Sequence, residues 1–164
     1  QPCSSAASDV YKRQALVSSL REKLNEIDWK PDLVVASYHG IPKKYFDKGD
    51  PYHCYCQKTT RLIIESFHEI PIITTFQSRF GPQEWLQPYT DKTFEKLPSD
   101  GKKKILVICP GFASDCVETL EEINIQGKES FLENGGEKFD LVPCLNDRDD
   151  HIDLLQNLTK NLNF

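Results

Sequence analysis

The sequence lacks any apolar run long enough to cross a bilayer and any excess of basic residues. Its longest apolar runs, Leu33 to Ala36 and Ile105 to Cys109, are far shorter than the ~20 residues that a membrane-spanning helix needs. The net charge of −5 argues against nucleic acid as a main partner, because phosphate binding needs a basic face. Nothing at the start resembles a secretory signal. We therefore expect a cytoplasmic protein without a transmembrane segment.

Several motifs of common enzyme classes are also missing. No Gly-x-Gly-x-x-Gly and no Gly-x-x-x-x-Gly-Lys-Ser/Thr occurs, so neither dinucleotides nor nucleoside triphosphates have a signature here. The Gly-x-Ser-x-Gly of serine hydrolases is absent too. Histidine pairs of the form His-x-x-x-His or His-Glu-x-x-His do not occur, which argues against a tight structural zinc site.

The six cysteines are scattered and do not suggest a disulfide framework. A chain of 164 residues forms one domain by length and buries about 70% of its unfolded surface, so it needs no covalent staples. Cys54 and Cys56 form a Cys-x-Cys motif beside His53, which could bind metal, but the spacing matches no zinc or iron–sulfur pattern. We expect reduced thiols and no iron–sulfur cluster.

Hydrophobic periodicity predicts strands and helices that alternate four times. We predict helices at 15–28, 54–69, 90–97, about 115–134 and 151–162, and strands at 34–38, 70–76, 105–109 and 139–143. Units of this length close only with parallel strands and right-handed crossovers, so the fold class is α/β, a three-layer α/β/α sandwich with a four-stranded parallel sheet. Residues 1–14 lack periodicity and are predicted to be a separate, unrelated or disordered segment, leaving 15–164 as the domain.

Two details of these helices are also predicted. Thr90 is expected to cap its helix. The last helix is expected to bury an apolar stripe that consists of Ile152, Leu155, Leu158 and Leu162.

Three strand ends carry polar groups, and the carboxyl edge of a parallel sheet is where ligands bind. His39 follows the first strand, Gln77 to Arg79 follow the second, and Ser114 and Asp115 follow the third. Gly40 lets the chain turn and is expected to leave room above the imidazole.

A row of carboxylates begins at the third strand end. Asp115, Glu118 and Glu122 lie at spacings of three and four, so they share one face of a predicted helix. Asp115 and Glu118 could instead form a capping box, with the other acids on a solvated face. An imidazole facing carboxylates can bind a divalent transition metal or relay protons, and a transient metal site fits three ligands best.

Aromatic residues flank the same strand ends, and such a lining suits a flat apolar ligand. They are Tyr38, Tyr52, Phe80, Trp85 and Phe112.

Four motifs in order resemble the successive signatures of the ferrochelatases, from about Ala15 to the C-terminus. They are Ser37 to Pro42 (SYHGIP), Gly49 to Tyr52 (GDPY), Thr75 to Asp91 (TFQSRFGPQEWLQPYTD) and Cys109 to Glu122 (CPGFASDCVETLEE). The resemblance is to the soluble bacterial type and implies a chelatase-like, Rossmann-like fold. It also implies insertion of Fe²⁺, the metal substrate, into protoporphyrin IX to form protohaem, the last step of haem biosynthesis.

The resemblance implies roles for individual residues. His39 is the active-site histidine, Glu118 faces it across the porphyrin, and Glu122 continues an acidic ladder for metal or protons. Two pyrrole protons leave to His39 or to the carboxylates. Arg79, or Lys43 and Lys44, would meet the porphyrin propionates. Contacts to the porphyrin are expected from Tyr38, Tyr52, Arg79, Trp85, Ser114 and Asp115.

Ferrochelatases are roughly twice as long as this chain, which matches their C-terminal half. The absent N-terminal domain is thus the expected packing partner and the opposite wall of the cleft. A single-domain metal-binding or metal-delivery module without catalysis is an alternative, although it has no use for the aromatic loop at 77–91. A flavodoxin-like binding module would need phosphate-cradling loops, which the sequence does not contain.

Overall fold

The computed structural model describes residues 3–160 of the chain, and their side chains from residue 12 onward. The elements are α1 Cys3–Glu26, β1 Leu33–His39, α2 Lys43–Asp47, α3 Tyr52–Ile64, β2 Ile72–Gln77, α4 Thr90–Lys96, β3 Lys104–Ile108, α5 Val117–Leu120, a π-helix at Glu122–Gly127, α6 Lys128–Glu133, β4 Lys138–Leu141 and α7 Asp149–Lys160. Among these elements, no helix is both long and apolar enough to span a membrane.

The four strands form one parallel sheet in the order β2-β1-β3-β4. Side chains that alternate along each strand feed two separate cores, as a pleated strand requires. Val34 of β1 packs with Leu20 of α1 and Ile63 of α3 on one face. Val35 packs with Phe94 and Phe131 from α4 and α6 on the other. The predicted three-layer α/β/α sandwich is confirmed.

The first helix differs from its prediction in where it begins. It starts at Cys3 rather than at Ala15 and continues to Glu26. From Ala15 onward its inward positions match the prediction, since Ala15, Leu16 and Leu20 are buried. The assignment of residues 1–14 to a separate segment stays a prediction.

The buried stripe predicted for the last helix is wrong at Ile152 and Leu155. In α7 the buried side chains are His151 and Leu154, whereas Ile152 and Leu155 are 40% and 44% exposed. Nδ1 of His151 lies 2.7 Å from the carbonyl oxygen of Asn146, so the buried imidazole is hydrogen-bonded to the segment just before the helix. Leu158 is half-buried, and Leu162 lies outside the described residues.

The long helix predicted after β3 is broken into three pieces. α5 is a single turn, the π-helix follows it, and α6 completes the segment. Gln126 donates its backbone N–H to the carbonyl of Glu121 at 2.9 Å, five residues earlier, which is the π-helical spacing. Gly127 lets this segment approach α4, because a Cβ there would lie 2.8 Å from Cε2 of Phe94.

Candidate functional site

His39 is the last residue of β1, and it lies opposite Gln77, the last residue of β2. Its Nδ1 is 2.7 Å from the carbonyl oxygen of Gly40. Because a carbonyl can only accept, Nδ1 carries the proton of the neutral ring and Nε2 keeps its lone pair. The hydroxyl of Tyr52 donates to the backbone carbonyl of His39 at 2.8 Å. The half-buried imidazole is thus held in one orientation with a basic nitrogen available.

Gly40 is required by a close approach of the backbone, although not at the place that the sequence suggested. A Cβ at Gly40 would lie 3.0 Å from the carbonyl oxygen of Gln77 and 3.2 Å from Cε3 of Trp85. The N–H of Gly40 donates to that same carbonyl at 2.9 Å. The missing side chain of Gly40 therefore makes room for the end of β2 and for the aromatic loop, and not for a ligand above the imidazole.

Glu118 stands in α5, partly exposed, on the segment that follows β3. The pKa of its carboxyl lies below the ordinary value, mainly because its own backbone N–H and the Cys116 thiol donate to the carboxylate. When the His39 imidazole is protonated, its positive charge acts in the same direction, as the smallest of these causes. The two groups therefore lie within electrostatic reach of each other, and the glutamate is ionised at neutral pH.

The capping box at the start of α5 joins Cys116 and Thr119 rather than Asp115 and Glu118. Cys116 is the N-cap, and its backbone N–H donates to Oγ1 of Thr119 at 3.0 Å. Asp115 precedes the helix, so it does not share a helix face with Glu118 and Glu122. The predicted row of three carboxylates on one helix is therefore wrong.

Glu122 belongs to a different cleft, between the end of β2, α4 and the π-helix. This cleft has a volume of about 380 Å³, and neither His39 nor Glu118 is in its lining. Oε2 of Glu122 accepts a hydrogen bond from Oγ of Ser78 at 3.0 Å. Ser78 has a left-handed backbone, with φ of 62°, which is uncommon for a residue other than glycine. The tight turn after β2 thus aims the hydroxyl at Glu122.

No group of three or more His, Cys, Asp or Glu side chains that could hold a metal occurs among the described residues. His39, Glu118 and Glu122 are thus not gathered into a preformed three-ligand site. The five cysteines whose side chains are described, Cys54, Cys56, Cys109, Cys116 and Cys144, are all free thiols.

Three of the predicted porphyrin contacts have their polar atoms engaged within the fold. Tyr38 is buried, and its hydroxyl lies 3.0 Å from Oγ1 of Thr60. Arg79 pairs with Asp91 at 2.6 Å, and its guanidinium lies 4.4 Å from the ring centre of Tyr89. The indole of half-buried Trp85 donates to the carbonyl of Phe80 at 2.9 Å.

Two further predicted contacts, Ser114 and Asp115, are adjacent in sequence but differ in environment. Ser114 is exposed. The carboxylate of Asp115 accepts hydrogen bonds from Nδ2 of Asn146 at 2.7 Å, from the backbone N–H of Cys144 at 3.2 Å and from the hydroxyl of Thr119 at 3.2 Å. Burial opposes ionisation, but these donors outweigh it and keep the pKa of Asp115 below its ordinary value. Asp115 thus joins the segment after β3 to the segment after β4.

Replacement of Asp115 by alanine is expected to lower the free energy of unfolding by about 2 kcal/mol, because three hydrogen-bond donors lose a charged acceptor. The lowered pKa means that the carboxylate contributes stability above the ordinary value of 3.8 and loses it as the pH falls below that value. The difference from wild type should therefore shrink in acid. Urea unfolding at pH 7 and at about pH 3 measures it, with exposed Asp153→Ala as the control. An equal difference at both pH values would contradict this account.

Sequence reasoning missed a buried polar network beneath the site. Gln77 donates from Nε2 to the backbone carbonyl of Glu118 at 2.7 Å and accepts at Oε1 from Oγ of Ser37 at 2.7 Å. Oγ of Ser37 is 2.9 Å from Oγ1 of Thr90, which donates to Oγ1 of Thr75 at 2.8 Å. Thr90 therefore serves this network, and Tyr89 is the N-cap of α4 instead. The signal in the sequence that could have indicated this network is the presence of polar residues, such as Ser37 and Thr75, within otherwise apolar strands.

These features define a class of protein: an α/β domain with a parallel sheet and with an imidazole and a carboxylate near the carboxyl edge, where domains of this class bind ligands. Comparison with known proteins narrows the class. A model of the ferrochelatase family matches residues 10–162. The chain belongs to the ferrochelatase family, which confirms the resemblance seen in its motifs.

Individual relatives support the same conclusion. The ferrochelatase of Rhizobium etli is 57% identical over 149 residues, which cover 90% of this chain and 43% of that protein. The ferrochelatase of Rhizobium meliloti is 56% identical over 148 residues, which cover 89% and 44%. The ferrochelatase of Agrobacterium fabrum is 54% identical over 149 residues, which cover 90% of this chain and 43% of that protein. The chain thus spans less than half the length of the curated relatives that it matches.

Proposed function

We propose that this chain is the C-terminal, metal-inserting half of a ferrochelatase, whose reaction is the insertion of Fe²⁺ into protoporphyrin IX to form protohaem. The observation that carries the proposal, beyond family membership, is the state of His39. Its Nδ1–H is bound to the Gly40 carbonyl, so Nε2 presents a lone pair. An ionised carboxylate at Glu118 lies within electrostatic reach.

Metal insertion needs both kinds of group. Fe²⁺ binds to the four porphyrin nitrogens while two pyrrole N–H bonds break, and the two protons must pass to bases at the site. The neutral Nε2 of His39 and the Glu118 carboxylate are suitable as proton acceptors and as ligands for an incoming divalent ion. Glu122 would belong to the route that brings metal in or takes protons away.

A second domain is part of this proposal. The relatives are more than twice as long as the matched segment, and the remainder would supply the opposite wall of the cleft. Apolar side chains are exposed near the site, including Phe80 at 83%, Val117 at 65% and Leu120 at 49%. Such exposure suits a surface that a porphyrin or a neighbouring domain covers. A cytoplasmic location also belongs to the proposal, and cell fractionation tests it.

Titration of the chain with protoporphyrin IX tests the proposal. Trp85 is close to the site, so saturable quenching of tryptophan fluorescence is expected, and a Trp85→Phe variant identifies the reporter. Zn²⁺ is then added, and the appearance of zinc protoporphyrin emission measures insertion. Porphyrin binding without insertion would mean that the other half is needed. Zn²⁺ binding without porphyrin binding would favour a metal-delivery module instead.

A further inference from the structure

One buried side chain links the two strand ends that carry the proposed reactive groups. Gln77 is 5% exposed. Its backbone carbonyl accepts the N–H of Gly40, the residue after His39, at 2.9 Å. Its side-chain Nε2 donates to the backbone carbonyl of Glu118 at 2.7 Å. A single residue of β2 therefore contacts the backbone at both groups.

The orientation of the Gln77 amide is determined by its partners. The Glu118 carbonyl can only accept, so the NH₂ group must face it. The amide oxygen then faces Oγ of Ser37 at 2.7 Å and the thiol of Cys109 at 3.7 Å. Both are donors, and rotation of the amide would place N–H groups against them and an oxygen against a carbonyl. The hydrogen bond to Glu118 is thus built into the core of the domain.

The segment that carries Glu118 has little stability of its own. α5 contains four residues and passes directly into the π-helix. One isolated helical turn is unfavourable, because nucleation orders several residues for one hydrogen bond. An anchor from the sheet to the first turn therefore has a large share in fixing where the Glu118 carboxylate lies.

We propose that Gln77 is a positioning residue that fixes the Glu118 carboxylate relative to the His39 imidazole through the backbone of α5. The inference rests on the proposed function in that these two groups handle the metal. Outer partners that orient metal-binding groups typically contribute 10- to 100-fold to metal affinity or activity. The amide touches neither metal nor porphyrin in this scheme.

Two substitutions separate positioning from general packing. Gln77→Glu keeps the side-chain length and an oxygen for Ser37, but its carboxylate cannot donate to the Glu118 carbonyl. Gln77→Leu removes the side-chain hydrogen bonds to Glu118, Ser37 and Cys109. Both variants are expected to weaken Zn²⁺ binding about 10- to 100-fold, while the dissociation constant for protoporphyrin IX changes less than about twofold. A loss of packing alone would weaken the binding of Zn²⁺ and of protoporphyrin IX to a similar extent. Exposed Gln156→Leu in α7 is the matched control.

Backbone hydrogen exchange provides a readout that needs no activity. The amide of Leu120 donates to the carbonyl of Cys116 at 2.8 Å in α5. Its exchange should be at least about tenfold faster in the Gln77 variants, with amides of β3 unchanged. If either variant fails to fold, Ser37→Ala, which frees the amide to rotate, takes its place with the same expectation.

The outcomes distinguish the two proposals. If Zn²⁺ binding by the wild-type chain does not depend on His39, the proposed function is refuted. The exchange rate of the Leu120 amide would still test the role of Gln77 in that case. Unchanged Zn²⁺ affinity in folded Gln77 variants, or unchanged exchange at Leu120, would overturn the positioning role.

Discussion

Replacement of His39 by alanine is expected to lower the rate of Zn²⁺ insertion into protoporphyrin IX by about 10²- to 10⁴-fold, the usual contribution of a general base. Nδ1 is held by the Gly40 carbonyl, so the variant loses a base whose Nε2 is already oriented. The half-buried ring makes its polar contact to backbone, and the fold should survive its loss. Zinc protoporphyrin emission measures the rate, and circular dichroism verifies folding.

The control for this change is His68→Ala, which removes an exposed imidazole beyond α3. Added imidazole should restore part of the rate to the His39 variant, because the side-chain deletion leaves a space for it, and should leave the control unchanged. A His39 variant that inserts zinc as fast as wild type would contradict the proposed role.

The order of elements and the sheet could be predicted from sequence because each strand is a short apolar run bounded by turn residues. Val34 and Val35 point to opposite cores, so a continuous run such as Leu33 to Ala36 is typical of a strand buried on both faces. Parallel strands then required helical crossovers on both sides. Local pattern and global architecture agree here, and the prediction of the fold was correct.

The break in the helix after β3 could not be predicted from periodicity. The apolar spacing of Leu120, Ile123 and Phe131 fits one continuous helix. Gly127, the last residue of the π-helix, lies against the Phe94 ring of α4, a contact remote in sequence that periodicity does not reveal. Glu122 is the first residue of the π-helix and lines the cleft beside Ser78, whereas Glu118 lies in α5 and is not part of that lining.

His39 was predictable as a candidate because it ends a buried strand, which is a matter of local sequence and of a general rule for parallel sheets. The sequence places Gln77 in the loop that closes β2, since no local feature distinguishes a buried amide from an exposed one. Its role depends on Ser37, 40 positions away, and on Glu118, 41 positions away. Only the strand pairing brings these residues together.

Replacement of Glu118 by glutamine is expected to lower the rate of Zn²⁺ insertion by about 10²-fold or more, because the change keeps the size of the side chain and removes its charge. The glutamine amide oxygen can still accept from the backbone N–H of residue 118 and from the Cys116 thiol, and Gln77 bonds the backbone carbonyl, so the variant should fold as wild type does. Exposed Glu129→Gln in α6 is the matched control. The same emission assay, run from about pH 5 to pH 9, measures the effect.

The pH dependence separates the charge of Glu118 from other titrating groups. Its pKa lies below the ordinary value of 4.5 because its own backbone N–H, and then the Cys116 thiol, favour the carboxylate. The charged form is therefore present above that value and is lost only as the pH falls below it. Between about pH 5 and pH 9 the ratio of wild-type to variant rates should stay constant. If the wild-type insertion rate falls on the acid side of this range, another group causes that fall. The same fall must then be seen in Glu118→Gln. A fall on the acid side that disappears in the variant would mean that Glu118 itself titrates near neutral pH, which would contradict its lowered pKa.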